Sequence, residues 1–488
     1  MRRRLPQVLL ALGLLLLAGV AVALVLGRRE ARPDRATTTV AAGTSGWRVG
    51  RPETGGAVEG YTSSPSVAPG DSLELHVSTN PAARYRIEIY RLGWYGGAGG
   101  RLIACRPDGC AGDEQGSSLP VPAPDPVTGE AAAGWPVTDA LPVHVVWRSG
   151  EYLAKLILTT GPQAGAAGAV PFVVRAPTGS RPRILVVAPV NTWQAYNAWG
   201  GLSAYSSPRS AVQVSFDRPY ADDAQARNDR PLARFLDRYG FDAGYVTDVD
   251  VDADPAQLLH HRLIVIPGHS EYWTRTMRDG LGRAIAAGVN VASTGGNAIY
   301  WHIRFTDPTR RTLAEYRSAS ADPNPVAAGK TVRWRDAPLD RPECRVLGIQ
   351  WQGGDRSLGG PFDYVVSAAA ATDAWFRGTG LSAGDRVRGV VDYEWDAIDP
   401  TCATPPLTVL FHHQGRATPH PPGVYLSSFH TSGADAVRFR APSGATVFAA
   451  GSIDFALAVD PLSADAAHPY DRRLDRFLRN ALRALGGR

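Results

Sequence analysis

Beyond its first 35 residues this 488-residue chain has no surplus of either charge. Seven arginines and two acids fall in residues 1–35, and the rest holds 44 basic and 44 acidic residues. A neutral body excludes an extended phosphate-binding surface, because covering a nucleic-acid backbone takes a standing excess of Arg and Lys. Cysteine is scarce too, four in all, which excludes a disulfide miniprotein, and neither cysteine spacing is a zinc signature. No unit of about 20–50 residues repeats, so solenoids and propellers are excluded. The serine-hydrolase elbow GxSxG is absent. The glycine run Gly96–Gly100 lies between strand-like segments rather than ahead of a helix, which argues against a phosphate-cradling loop. What remains is an ordinary globular composition, 44% hydrophobic and 20% charged, in a chain long enough for two or three domains.

The charge surplus at the start flanks a 20-residue stretch without a charge, Val8 to Gly27, about the length that crosses a bilayer as a helix. Arg2, Arg3 and Arg4 would hold its start in the cytoplasm. The sequence therefore predicts a membrane anchor over residues 1–30, with the body outside the cell. Ala21-Val22-Ala23 offers a cut, in which case the body is secreted. Residues 31–60 are small, polar and rich in Gly and Thr, and read as a flexible stalk. In an oxidising compartment Cys105 and Cys110, which enclose the turn sequence Arg-Pro-Asp-Gly, predict a hairpin staple. Cys344 and Cys402 would then be the second pair, although four cysteines allow three connectivities.

Residues 61–176 alternate apolar and polar positions between Gly/Pro/Asp turns, in SLELHVST, YRIEIYRLGWY, HVVWR, YLAKLILTT and AVPFVVR. This predicts an antiparallel β-sandwich. From 181 to 488 the pattern changes to short, fully apolar strands (RILVVAP, RLIVIPG, VNVASTGG, ATVFAAG). Helical periods lie between or after them, at Leu232–Tyr239, Tyr272–Ala287 and Asp471–Leu485. That alternation predicts a doubly wound parallel α/β sheet. A strand-rich insertion at about 305–442 interrupts it, expected to fold back over the sheet's edge.

Ligands of open α/β sheets bind beyond the carboxyl ends of the strands. Three polar, aromatic clusters fall there: residues 189–201 (PVNTWQAYNAWGG), 267–274 (PGHSEYWT) and 295–301 (GGNAIYW). Taken alone, Glu271 could cap the helix that follows it. Three such clusters on one rim favour a site instead. His260, His261, His412 and His413 are adjacent pairs with no third ligand at useful spacing, and read as structural.

The runs IYRLGWYGG, NTWQAYNAWGG, SFDRPY, GHSEYWT, GGNAIYW, LGIQWQGG and DYEWD resemble the large (beta) subunit of N,N-dimethylformamidase, over about residues 60–485. The resemblance implies a sandwich joined to a domain like that of class I glutamine amidotransferases. It also implies a mononuclear iron, Fe(III), held by two tyrosines and one glutamate, and hydrolysis of a formamide to dimethylamine and formate. Carried over by position, Glu271 matches the glutamate ligand, Tyr196 the first tyrosine and Tyr220 the second, with Tyr205 as competitor. His269, Asn297 and Glu394 resemble the polar residues around the metal. Arg317 stands where the family has a lysine, which keeps a cation but not a titratable ammonium.

Two phenolates and a carboxylate are hard anionic donors suited to Fe(III), and Trp193 and Trp273 would help wall a pocket for a small neutral amide. The family enzyme works with a separate small subunit that these residues do not include, and homo-oligomerisation is compatible with the sequence. The alternative is a non-catalytic surface protein that keeps the fold and binds envelope polymers. In that reading Trp94, Trp193, Trp199, Trp273, Trp301 and Trp351 would form an aromatic platform.

Overall fold

The computed structural model describes residues 42–177, 179–221, 226–353, 360–368, 372–415 and 433–487. They belong to a single unit, Ala42–Arg488. The expected anchor and the first part of the stalk lie outside the described residues. Among those described, no helix is long and apolar enough to cross a membrane.

The first half is antiparallel except that the short β2 runs parallel to β9. Its strands are β1 (Val58–Thr62), β2 (Ser66–Val67), β3 (Ser72–Thr79), β4 (Arg84–Leu92), β5 (Gly100–Arg106), β6 (Glu114–Gln115), β7 (Asp139–Pro142), β8 (Gly150–Leu158) and β9 (Ala167–Val174). They form a three-stranded sheet, β1-β3-β7, and a larger one, β2-β9-β8-β4-β5, with β6 on β4. Every second side chain points inward: Leu73, Leu75 and Val77 of β3 share one core with Tyr85, Ile87 and Ile89 of β4. Cys105 and Cys110 are joined across the turn after β5, and Cys344 and Cys402 form the second disulfide.

Two expectations fail here. Residues 144–148 form a turn rather than a strand, with Val145 and Val146 exposed. The part of the expected stalk that is described is packed: Trp47 is buried, its indole N–H donates to Ala98 O at 2.9 Å, and Lys155 Nζ binds Gly46 O and Arg48 O. A single large aromatic ring lying against Gly99 and Gly100 overrides the composition that reads as a linker.

The second half is built on a nine-stranded sheet. Its elements in chain order are β10 (Ile184–Ala188), α1 (Val190–Tyr196), β11 (Gln213–Ser215), α2 (Arg230–Arg238), β12 (Ala243–Thr247), α3 (Asp248–Ala253), β13 (Leu263–Ile266), β14 (Tyr272–Thr274), α4 (Arg275–Ala286), β15 (Asn290–Ser293), β16 (Trp301–Phe305), β17 (Thr312–Ala314), α5 (Cys344–Leu347), β18 (Gln350–Gly353), β19 (Phe362–Val366), β20 (Arg386–Val391), β21 (Trp395–Ala397), β22 (Thr408–His413), β23 (Ala434–Arg440), β24 (Thr446–Ala449) and α6 (Arg472–Gly486). The order across the sheet is β12-β10-β13-β15-β24-β23-β22-β19-β20, and its first five strands are parallel. Both faces of those strands are covered, which is why they read as unbroken apolar runs. Ile184, Val186 and Ala188 pack with Leu232 and Phe235 of α2 and Phe477 of α6. Leu185 and Val187 pack with Val251 of α3 and Met277 and Leu281 of α4.

The insertion does not fold back over an edge: β23, β22, β19 and β20 pair onward from β24 and extend the same sheet antiparallel. A sheet edge carries unpaired backbone groups, and added strands satisfy them. The chain leaves β10 for β12 on one side and then returns to β13 on the other, so a switch point opens at the carboxyl ends of β10 and β13.

Candidate functional site

The three clusters meet at that switch point. After β10 the chain enters α1, whose Thr192 Oγ1 accepts the Glu271 N–H at 3.0 Å, tying the first cluster to the second. The second and third clusters touch through glycine. A Cβ on Gly295 would lie 1.6 Å from Gly268 O, and one on Gly296 would lie 2.9 Å from Glu394 O. Only a bare backbone allows these approaches.

Glu271 does not cap the following helix. Residues 272–274, expected as helix, form β14 against β16, and Thr274 is the cap, its side chain accepting from Met277 N. Glu271, 2% exposed, is left to turn its carboxylate toward three aromatic rings. The Tyr196 hydroxyl donates to Oε2 at 2.9 Å. The Tyr205 hydroxyl lies 3.0 Å from Oε1 and 3.2 Å from Oε2, and His269 Nε2 lies 3.2 Å from Oε2.

The second expected tyrosine, Tyr220, does not join this group. Tyr220 turns to Gln194 rather than to Glu271, and burial pushes its pKa up to about 12. The stretch after Tyr196 folds back instead, stacking Tyr205 on Tyr196 with ring centroids 4.2 Å apart. The Tyr205 residue is 43% exposed while its hydroxyl points inward, so it forms the lip of the site.

His269 links two carboxylates, because its Nε2 also sits 3.0 Å from Glu394 Oε2. Glu394 in turn accepts from Asn297 Nδ2 at 2.8 Å. Asn297 N donates to Asp396 Oδ1 at 2.9 Å, so the DYEWD stretch grips the third cluster twice. Burial alone would push the His269 pKa down, but Glu394 and Glu271 outweigh it and lift the value to about 10. The two acids thus favour the protonated imidazole. The phenols of Tyr196 and Tyr205 are held well above their ordinary value, first by burial and then by the charge of Glu271. Asn297 (φ 49), Arg317 (φ 55) and Tyr393 (φ 63) all adopt left-handed backbone, a strain that folds tolerate chiefly where side chains must be aimed.

Arg317 lies over the Tyr205 ring at 4.9 Å and near Trp301 at 5.7 Å, and its guanidinium binds Ala204 O. Two contributors escaped sequence reasoning. The Tyr272 hydroxyl donates to Tyr205 Oη at 2.6 Å. Glu315, buried behind it, has its pKa raised to about 8 by burial, against the pull of Arg317. Adjacency was the available signal, since Tyr272 follows Glu271 and Glu315 lies two positions before Arg317.

Trp193 and Trp273, expected beside a substrate, are buried core groups. Their indole N–H groups are engaged by Asp229 at 2.9 Å and by Ser270 at 3.0 Å, so they brace the site from behind. Trp199 and Trp301 are buried too, which removes four of the six tryptophans from any surface platform.

The hydroxyls of Tyr196 and Tyr205 thus both lie within hydrogen-bond distance of the Glu271 carboxylate, in surroundings that cover it. All are hard donors, and the phenols become anionic on losing a proton, so the set fits a trivalent iron better than zinc.

The chain is 25% identical over 284 residues to the N,N-dimethylformamidase beta subunit of Alcaligenes sp, a match covering 52% of this chain and 36% of that protein. The sequence profile described as N,N-dimethylformamidase beta subunit-like, C-terminal, matches residues 86–470. The chain belongs to the N,N-dimethylformamidase beta subunit-like family.

Proposed function

We propose that this protein is an exported hydrolase of non-peptide C–N bonds in small neutral amides, using one iron(III) held by Tyr196, Tyr205 and Glu271. Its second half would be a domain of the class I glutamine amidotransferase kind. The observation that carries this reading is the meeting of two phenols and a carboxylate beside the His269–Glu394–Asn297 chain. When bound there, the ion would supply Lewis acidity.

The protein's own groups divide the remaining work. Glu394, whose side chain is 17% exposed against 2% for Glu271, reaches toward solvent, and it accepts the proton of the attacking water and returns one to the departing amine. The Asn297 amide, with a second Nδ2 hydrogen beyond the one given to Glu394, donates a hydrogen bond to the oxygen that gains charge as the carbonyl is attacked, and His269, facing both Glu271 and Glu394, positions the two carboxylates. Arg317 and Tyr272 hold Tyr205 in place. Export rests on the apolar stretch at 8–27 and on the two formed disulfides. The relative is named as a beta subunit, so a partner subunit belongs to the proposal.

The test is metal analysis with an absorption spectrum on wild type and Glu271→Ala, followed by an amide panel. One iron per chain, a phenolate charge-transfer band and amide turnover in wild type, all lost in the variant, support the proposal. A colourless, iron-free wild type purified without chelators would sink it.

A further inference from the structure

A second cluster of ligating side chains lies apart from the tyrosine–glutamate set. Asp392 follows β20, Asp454 lies in the 3-10 segment Ile453–Val459 after β24, and His468 precedes α6. Their ligand atoms all fall within 4.8 Å of one another, the one such His/Cys/Asp/Glu group among the described residues. The side chains are 14–15% exposed.

The imidazole is oriented from behind. His468 Nδ1 lies 3.3 Å from Asp465 Oδ1, and that oxygen also accepts the backbone N–H groups of Ala467 and His468 at 2.8 and 2.7 Å. With Nδ1 turned to Asp465, Nε2 is the ring nitrogen that faces the other two carboxylates, Asp392 Oδ2 at 3.3 Å and Asp454 Oδ2 at 3.5 Å. A carboxylate behind the imidazole and further ligands before it form the arrangement by which proteins orient a metal-binding histidine. Ligands about 2.0–2.1 Å from a tetrahedral zinc stand roughly 3.3–3.5 Å apart, which is the spacing of both pairs.

We propose that Asp392, Asp454 and His468 bind one divalent ion of the zinc type, with water completing the tetrahedron. One nitrogen and two carboxylates suit zinc rather than calcium, which takes oxygen alone. The site fastens the backbone that carries Glu394 at both ends. Glu394 N donates to Asp392 O at 2.8 Å, and Ile453 N, next to Asp454, donates to Glu394 O at 3.2 Å. It is independent of iron and uses none of the iron donors.

The test is a titration of the chelator-stripped full chain with Co²⁺, whose tetrahedral complexes absorb in the visible, in wild type, His468→Gln and Asp454→Asn. Zn²⁺ is then added while the thermal midpoint is followed. In wild type one Co²⁺ should give visible bands that Zn²⁺ displaces, and Zn²⁺ should raise the midpoint by a few degrees. Both responses should vanish in the two variants, whose metal-free midpoints match the wild type. No bands in wild type, or bands unchanged in His468→Gln, would overturn the assignment.

Discussion

The candidate site has two halves built in different ways. Tyr196, His269, Glu271 and Asn297 follow the carboxyl ends of β10, β13 and β15, positions fixed by the parallel pairing of buried strands. Tyr205, Arg317 and Glu394 stand on irregular stretches, aimed by stacking, cation–ring contact and left-handed backbone. In the proposed function the strand-end half would supply most of the metal donors, and the irregular half the proton acceptor and the lip. Rigid elements hold what must not move, and loops hold what sets the chemistry.

The comparison breaks most sharply at Glu394. Glu394→Gln should lower amide turnover by about 10²–10⁴-fold with iron content and spectrum unchanged. Equal loss of iron would mean that the two halves do not divide their labour.

Next in size is the seam between the clusters. Gly295→Ala drives a Cβ into Gly268 O, and should destabilise the chain by more than about 3 kcal/mol, read as a lowered thermal midpoint. A tolerated alanine would show that the strand-end half is looser than the packing implies.

Tyr272→Phe removes the donor to Tyr205 Oη. It should weaken iron binding by about 10–100-fold and shift the charge-transfer band, whereas Phe at Tyr220 should do neither.

The smallest effect is acid sensitivity in β16, beside the irregular half. Burial lowers the His302 pKa from 6.5 to about 4, although Nδ1–H donates to Lys330 O. The unfolded chain therefore takes up a proton near pH 6.5 that the folded one refuses until about pH 4. Stability falls as pH drops through that window, by about 2 kcal/mol between pH 7 and pH 5. His302→Gln should flatten this slope in pH-dependent unfolding.

The same division explains what could be read from the amino acids alone. Short apolar runs between helical periods identify the parallel strands, and the binding of ligands beyond the carboxyl ends of such strands places the three clusters on their rim, because both follow from local pattern. Tyr205 could not be chosen over Tyr220, because the choice depends on how an irregular segment folds back onto Tyr196. Nor could Trp193 and Trp273 be told from pocket walls, since a buried indole and a ligand-facing one have the same letters around them. The insertion's pairing onto β24 was hidden because edge strands carry no signature of their neighbour.

The site stands or falls on which tyrosine joins Tyr196 and Glu271. Iron content and absorption spectra of wild type, Tyr205→Phe and Tyr220→Phe would decide it. One iron and a phenolate band should appear in wild type and in Tyr220→Phe, with the band lost or strongly shifted in Tyr205→Phe. A band that survives in Tyr205→Phe and disappears in Tyr220→Phe would contradict the site described above.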